Sequence, residues 1–152
     1  MATSISHSIA ETDALGEAWG RAAESGLVIA LSGDLGAGKT QLVKGLARGL
    51  GFSGRVHSPT FTLVNVYSGG RLTLFHLDLY RLETREQILS AGFEEYLNPA
   101  GVSVIEWAER WFGENDSGVN PGDLNQGGRI RWVRIETLNE TERRIVYEDS
   151  GD

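Results

Sequence analysis

The sequence reads Gly33-Asp34-Leu35-Gly36-Ala37-Gly38-Lys39-Thr40 between a short apolar run and an amphipathic segment. This octapeptide matches G-x-x-x-x-G-K-[ST] at every defined position, the pattern of a loop that binds phosphate groups. The apolar run, residues 27–31, lies between glycines and favours a buried strand. Residues 39–50 carry apolar side chains at helical spacing. A strand, a glycine-rich turn and a helix in this order predict an anion site at a helix N-terminus.

Each residue type in this loop has a chemical reason to be there. Gly33, Gly36 and Gly38 allow positive φ and a close approach of the backbone to phosphate oxygens, so that several N–H groups can converge on the anion. Lys39 can neutralise the β- and γ-phosphates, and Thr40 can offer its hydroxyl to a magnesium ion. The loop therefore predicts binding of a nucleoside triphosphate, with ATP and Mg²⁺ as the expected cofactors.

Two carboxylates follow apolar runs further along the chain. Asp78 ends the run 72–77, and Glu106 follows the run 102–105. If these strands are parallel neighbours of the strand before the loop, both carboxylates would lie beside the phosphates. Asp78 would then hold magnesium, and Glu106 would bind magnesium through water or act as a base for the attacking water. The alternatives are a solvated acid at a strand end for Asp78 and, for Glu106, a helix N-terminal glutamate favoured by the dipole.

Other polar and aromatic residues give weaker signals. Residues 58–60 read Ser-Pro-Thr, and Thr60 could contact the γ-phosphate as part of a switch loop, although Ser-Pro is also a common turn. We expect His57 and His76 to pack or to face solvent rather than to catalyse. Three tryptophans are expected to be core or interface anchors rather than a platform for base stacking: Trp107, Trp111 and Trp132.

The rest of the pattern predicts alternating strands and helices followed by strands, which indicates one α/β domain with a mixed sheet. The predicted elements are an edge strand 4–9, a helix capped by Thr12 or Asp13 and running to about residue 24, a hairpin of strands 61–67 and 72–79, a helix 84–91, a strand 102–105, a turn or short helix 106–112, a loop 113–128, and a closing antiparallel pair 129–137 and 143–148.

Composition limits the classes of function. The formal net charge is -7 and the chain has no cysteine, which excludes disulfides and thiolate metal sites. An acidic surface repels nucleic acid at long range, so any role on RNA would need a partner that supplies positive charge. The longest apolar run is too short to span a membrane, and residues 1–10 do not resemble a signal peptide. We therefore expect a cytoplasmic protein.

Four ordered blocks resemble the bacterial TsaE family, also called YjeE, the ATPase of threonylcarbamoyladenosine tRNA modification. They are the octapeptide 33–40, Ser-Pro-Thr-Phe-Thr-Leu-Val at 58–64 with Tyr67, His-Leu-Asp-Leu-Tyr-Arg-Leu at 76–82, and Ile-Glu-Trp at 105–107 with Glu109-Arg110. Weaker similarity at Thr12, Leu15-Gly16 and residues 92–96 extends the resemblance to roughly residues 10–112. Because many proteins share the phosphate loop, the other three blocks carry the specificity.

The resemblance implies a compact ATPase. Together with the element pattern and the chain length, it predicts a P-loop NTPase-like three-layer sandwich with a mixed central sheet, formed by residues 1–152 as a single domain. It further implies weak, partner-dependent ATPase activity with the TsaB–TsaD complex, which transfers the threonylcarbamoyl group to tRNA adenosine. The expected catalytic residues are Lys39, Asp78 and Glu106, and the expected magnesium residues are Thr40, Asp78 and Glu106. The expected nucleotide contacts are Thr12, Asp34, Leu35, Gly36, Ala37, Gly38, Lys39, Thr40, Gln41 and Thr60, with the segment near Thr12 helping to hold adenine.

One position in the loop helix departs from the family pattern, and three other functions compete. Gln41 replaces the usual threonine, so a hydroxyl contact to the α-phosphate is lost or replaced by the amide. A small-molecule kinase would need an acceptor pocket and an arginine-bearing lid, for which Arg143 and Arg144 are the candidates. A GTPase is disfavoured because the chain lacks an Asn-Lys-x-Asp or Thr-Lys-x-Asp motif. A module that only senses nucleotide would bind ATP without releasing phosphate.

Overall fold

The computed structural model describes residues 2–33, 38–56, 63–112 and 129–150. In chain order the elements are β1 (Ala2–Ser6), α1 (Ile9–Ala22), β2 (Val28–Gly33), α2 (Lys39–Gly49), β3 (Val64–Tyr67), β4 (Leu74–Asp78), α3 (Arg85–Ser90), a 3₁₀ helix (Phe93–Leu97), β5 (Val102–Glu106), α4 (Glu109–Phe112), β6 (Ile130–Thr137) and β7 (Arg143–Ser150). The strands form one sheet in the order β1-β7-β6-β2-β5-β4-β3.

The sheet is mixed, with a parallel centre and antiparallel edges. Strand β2 is parallel to β5 on one side and to β6 on the other, and β4 is parallel to β5. Strands β1 and β7 extend one edge in antiparallel pairing, and β3 closes the other edge as a hairpin with β4. The α/β class, the mixed sheet, this hairpin and the closing β6–β7 pair are therefore confirmed.

Helices cover both faces of the sheet, which explains why β2 is apolar at successive positions. Because side chains alternate along a strand, Ile29 and Leu31 join the core under α1 and α2, whereas Val28 and Ala30 join the core under α3 and α4. A strand buried on both sides reads as a continuous apolar run. The result is a three-layer arrangement of helices, sheet and helices.

Helices α1 and α2 pack with their backbones in close contact. Helix glycines make this possible, because a Cβ on any of four of them would lie only 2.0–2.4 Å from a backbone oxygen of the facing helix: Gly16, Gly20, Gly45 and Gly49. At the rim, Asp13 forms an ion pair with Arg48 and accepts a hydrogen bond from Gln41. This contact fixes the position of α2, which begins at the candidate phosphate loop.

The start of α1 differs from the sequence prediction. The helix is capped by Ser8, whose Oγ accepts a hydrogen bond of 3.1 Å from the Glu11 N–H, so the predicted caps Thr12 and Asp13 lie inside the helix. Ser8 and Glu11 have the spacing of a capping box, which starts the helix one turn earlier. For the same reason the predicted edge strand 4–9 is misplaced, and the chain is extended only over Ala2–Ser6.

Other predicted elements are confirmed within small shifts of their ends. Helix α3 begins after Thr84, whose Oγ1 accepts a hydrogen bond of 3.1 Å from the Gln87 N–H. The predicted loop 113–128 and the first part of the predicted strand 61–67 lie outside the described residues. Across the described ranges, no helix combines the length and apolar character needed to cross a membrane.

Candidate nucleotide-binding site

Two glycines bracket the candidate phosphate loop in conformations that require glycine. Gly33 ends β2 with φ 136°, and a Cβ there would lie 2.1 Å from the Ile135 carbonyl oxygen on the neighbouring strand. Gly38 precedes α2 with φ 94°. The predicted positive φ is therefore confirmed at these two positions. Gly36 lies outside the described residues, as do three other predicted nucleotide contacts in the loop: Asp34, Leu35 and Ala37.

Lys39 and Thr40 lie in the first turn of α2, where the N–H groups and the helix dipole favour an anion. The Lys39 side chain is only 5% exposed, and its Nζ donates a hydrogen bond of 3.1 Å to the Gly33 carbonyl oxygen. The same Nζ lies 3.8 Å from the centre of the Trp107 ring. The ammonium group thus connects the two ends of the loop and lies where phosphate is expected.

Asp78 and Glu106 lie side by side at the carboxyl ends of β4 and β5. They are register partners, and Glu106 is also opposite Leu31 on β2. The strand order shows that β5 lies between β2 and β4, so only the Glu106 strand adjoins β2. The prediction for Asp78 required its strand to be parallel and adjacent to β2. Strand β4 has the parallel direction but is not adjacent, because β5 lies between them. Both carboxylates nevertheless lie at the carboxyl ends of the parallel strands, where the loop follows β2.

The charge environment of Asp78 reflects partial burial in a polar cluster. Burial is the main cause that raises its pKa, and the nearby Glu106 raises the pKa further. The Tyr80 N–H, which donates a hydrogen bond of 2.9 Å to Asp78 Oδ1, lowers the pKa, as do the charges of His76 and Lys39. Two neighbouring carboxylates that are partly removed from water favour a cation between or beside them.

Glu106 is 4% exposed and is hydrogen-bonded to a histidine, a contact that we did not predict from the sequence. The hydrogen bond joins its Oε2 to Nε2 of His76, which is fully buried. The prediction that His76 packs or faces solvent is confirmed as to burial but missed this contact. A signal was present: His76 precedes Asp78 by two residues, so both side chains point to the same face of β4.

Trp107 follows Glu106 with φ 59°, which is uncommon for a residue other than glycine. This conformation places the ring over Lys39 and beside Tyr80, with ring centres 5.0 Å apart. The other two tryptophans belong to the core under α3 and α4, as predicted: Trp111 as a buried member and Trp132 packed against it. Trp107 is thus the tryptophan that lies at the candidate site.

Two further predicted nucleotide contacts are hydrogen-bonded within the protein, and a third lies outside the described residues. Thr12 is buried, and its Oγ1 is 2.7 Å from the Ser6 hydroxyl oxygen. The Gln41 amide donates a hydrogen bond of 2.7 Å to Asp13 on α1. Thr60 lies outside the described residues. Contacts of these three residues with nucleotide stay predictions.

A cavity of about 330 Å³ lies at the opposite end of the sheet, where the chain enters β2 and β6. Its lining includes Trp19, Leu27, Arg129 and Arg131. Arg131 is already paired with Asp149 through two hydrogen bonds of 2.6 and 2.9 Å. Because Lys39, Asp78 and Glu106 lie at the other ends of the strands, this cavity is separate from the candidate site.

A lysine and a threonine begin a helix after the central parallel strand, and carboxylates lie at the ends of the next two strands of the sheet. This arrangement defines an α/β protein with a P-loop NTPase-like fold. The family model described as threonylcarbamoyl adenosine biosynthesis protein TsaE matches residues 6–145. The chain belongs to this family.

Individual relatives and a solved structure agree with this assignment. The tRNA threonylcarbamoyladenosine biosynthesis protein TsaE of Treponema pallidum is 50% identical over 106 residues, covering 70% of this chain and 78% of that protein. The protein of the same name from Synechocystis sp. is 48% identical over 103 residues, covering 65% of each chain. The crystal structure of YdiB from Bacillus subtilis superposes with a TM-score of 0.72 at 30% identity, covering 96% of this chain and 83% of that one.

Proposed function

We propose that this chain binds ATP with magnesium and hydrolyses it slowly, in support of threonylcarbamoyladenosine formation on tRNA. The proposal rests on one observation: Lys39, Asp78 and Glu106 lie together at the carboxyl ends of the parallel strands, where α2 begins. The name of the family and of its relatives supports the link to tRNA modification.

The side chains of the site suggest a division of roles. Lys39 and the N–H groups at the start of α2 would bind the phosphates, and the Thr40 hydroxyl and the Asp78 carboxylate would hold magnesium. Bound magnesium would neutralise charge on the phosphate oxygens. Glu106 would assist the metal or orient the attacking water.

The donor set fits magnesium better than a metal held entirely by protein. Within the described part of the chain, no group of three or more histidine, aspartate or glutamate side chains could hold a metal ion. Magnesium is commonly bound through one or two carboxylates together with substrate phosphates and water. The raised pKa of Asp78, which burial causes, also marks a carboxylate that a nearby cation would favour in its charged form.

The acidic composition supports dependence on partners. With a formal net charge of -7, the chain is poorly suited to bind tRNA tightly by itself. We propose that the TsaB–TsaD complex supplies the tRNA contact and completes the ATPase site, and that the protein acts in the cytoplasm with this complex.

The two arginines that are the candidates for a kinase lid lie in a regular β-strand. Arg143 lies in β7 and donates hydrogen bonds of 2.8 and 2.9 Å to the carbonyl oxygens of Asn139 and Glu142. Arg144, in the same strand, lies 3.8 Å from Glu136 on β6. Arginines built into a strand pair are poor candidates for a part that closes over an acceptor.

The direct test is ATP affinity in a Lys39→Ala variant, measured by isothermal titration calorimetry with magnesium. We expect a loss of at least ~10-fold, because the charge-assisted contacts of the ammonium group are each worth about 1.5–3 kcal/mol. Lys44→Ala is the matched control, since Lys44 is exposed on the same helix. Unchanged affinity in Lys39→Ala would overturn the proposal. Phosphate release measured with and without TsaB–TsaD separates an ATPase from a module that only senses nucleotide.

A further inference from the structure

Three buried side chains form a line from the edge of the sheet to the candidate site. Tyr67 lies on β3, His76 on β4 and Glu106 on β5, and they are 5%, 0% and 4% exposed. The Tyr67 hydroxyl oxygen is 3.5 Å from His76 Nδ1, and His76 Nε2 is hydrogen-bonded to Glu106 Oε2. The imidazole therefore connects a tyrosine on the edge strand β3 to a carboxylate of the candidate site.

We propose that His76 is a positioning residue that fixes the orientation of the Glu106 carboxylate for ATP hydrolysis. This inference rests on the proposed function. The final torsion of a glutamate side chain is broad, so a carboxylate without a partner samples many orientations. The bond from His76 occupies Oε2 and selects one of them, which leaves Oε1 to serve the reaction.

The donor and acceptor roles follow from the chemistry of the two groups. An ionised carboxylate only accepts hydrogen bonds, so with Glu106 in that form Nε2 of His76 is the donor of this bond. In a neutral imidazole, Nδ1 is then an acceptor, and the Tyr67 hydroxyl is placed to donate to it. The position of the Tyr67 hydroxyl is thus compatible with the tautomer that donates to Glu106.

Packing alone does not account for a histidine at this position. A fully buried imidazole loses its hydrogen bonds to water, and an aliphatic side chain would avoid that cost. His76 faces the same core as Leu74 and Val104, where an aliphatic residue would fit the surroundings. Its distinguishing property is the hydrogen bond to Glu106.

Two substitutions that differ by one methylene group distinguish loss of the hydrogen bond to Glu106 from loss of side-chain packing. In His76→Gln the amide can reach the place of Nε2 and still donate to Glu106, whereas the shorter amide in His76→Asn cannot reach that far. Steady-state phosphate release would be measured with magnesium, ATP and TsaB–TsaD, and thermal unfolding would confirm that each variant is folded. We expect His76→Asn to lower kcat by ~10- to 100-fold, since misorientation of a reacting group has effects of this size. KM should change by less than about threefold, because the phosphate-binding residues are untouched.

Two further measurements test the inference: the kcat of His76→Gln, and the effect of His76→Asn when Glu106 is already replaced. His76→Gln should recover most of kcat, and in a Glu106→Gln background the His76→Asn change should cause no further loss, since both act through one carboxylate. Equal losses in the Gln and Asn variants, a rise in KM alone, or additive losses in the double variant would overturn the inference. If His76→Asn does not fold, a folded His76→Gln variant with kcat as low as Glu106→Gln would overturn it equally. Absence of phosphate release by the unaltered protein would instead remove the proposed function itself.

Discussion

Gly45→Ala should destabilise the protein although alanine is the better helix former. Gly45 lies inside α2, where alanine is favoured over glycine by about 1 kcal/mol. Its Cβ, however, would lie 2.0 Å from the Asp13 carbonyl oxygen on α1. An ordinary contact is about 3.5 Å, so the helices would have to separate by more than ~1 Å. Overpacking of this kind typically costs about 1–3 kcal/mol, and because the nearest atoms are α1 backbone rather than a flexible side chain, this case lies at or above the upper end.

The net loss should be about 2 kcal/mol, which corresponds to a fall in Tm of ~4–8 °C for a chain of this length. The measurement is urea and thermal unfolding followed by circular dichroism. Lys44→Ala, at the adjacent exposed position, is the control and should stay within about 0.5 kcal/mol of the parent. A Gly45→Ala variant as stable as the parent, or more stable, would refute the argument that these helices are held in backbone contact.

Replacing either of two carboxylates by an amide should change the free energy of unfolding at pH 7, in opposite directions for Asp149 and Asp78. Hydrogen bonding from Arg131 is the main cause that lowers the pKa of Asp149, so this pair stabilises the fold above pH 3.8 and loses that effect as the pH falls through the depressed pKa. Asp149→Asn should therefore lower the unfolding free energy at pH 7 by no more than about 1 kcal/mol. Urea titrations at pH 7 and at successively lower pH should show this difference shrink as the pH falls through the depressed pKa, and a constant difference would contradict this. Burial raises the pKa of Asp78, so its charged form disfavours the fold as the pH rises through that pKa, and Asp78→Asn should raise the urea midpoint in metal-free buffer at pH 7. The same variant should bind ATP with magnesium more weakly, and a lower urea midpoint would count against the burial argument.

The local parts of the fold were predictable from sequence, and the long-range parts were not. Strand β2, the two bracketing glycines and α2 follow from a short pattern read in order, because each depends on neighbouring residues. The position of Asp78 depended on which strand adjoins β2. The insertion of β5 between β2 and β4 is a property of the whole sheet that no local pattern records. The cap at Ser8 was readable from its spacing to Glu11, but hydroxyl and carboxylate residues further along offered competing caps.

The residues that gather at the candidate site were predicted more fully than their contacts, and their chemical roles stay predictions. Lys39, Asp78 and Glu106 lie together as their residue types suggested. The contacts of His76 and Trp107 depend on side chains that are distant in sequence, and the positive φ of Trp107 has no signature in its residue type. The alternation of β4 could have placed His76 beside the acids, whereas nothing in the sequence aims Trp107 at Lys39.

The Lys39 bond to the Gly33 carbonyl oxygen joins the exit of β2 to the entrance of α2. Gly33 is pinned against the backbone of Ile135, and α2 is pinned against α1, so both anchor points are set when the chain folds. The conformational entropy of these two positions is therefore lost on folding and not on ligand binding. A ligand that binds there would meet two loop ends whose separation is already fixed. If the loop binds phosphate as proposed, helix α1 and strand β6 would contribute to the affinity for phosphate by holding these ends in place.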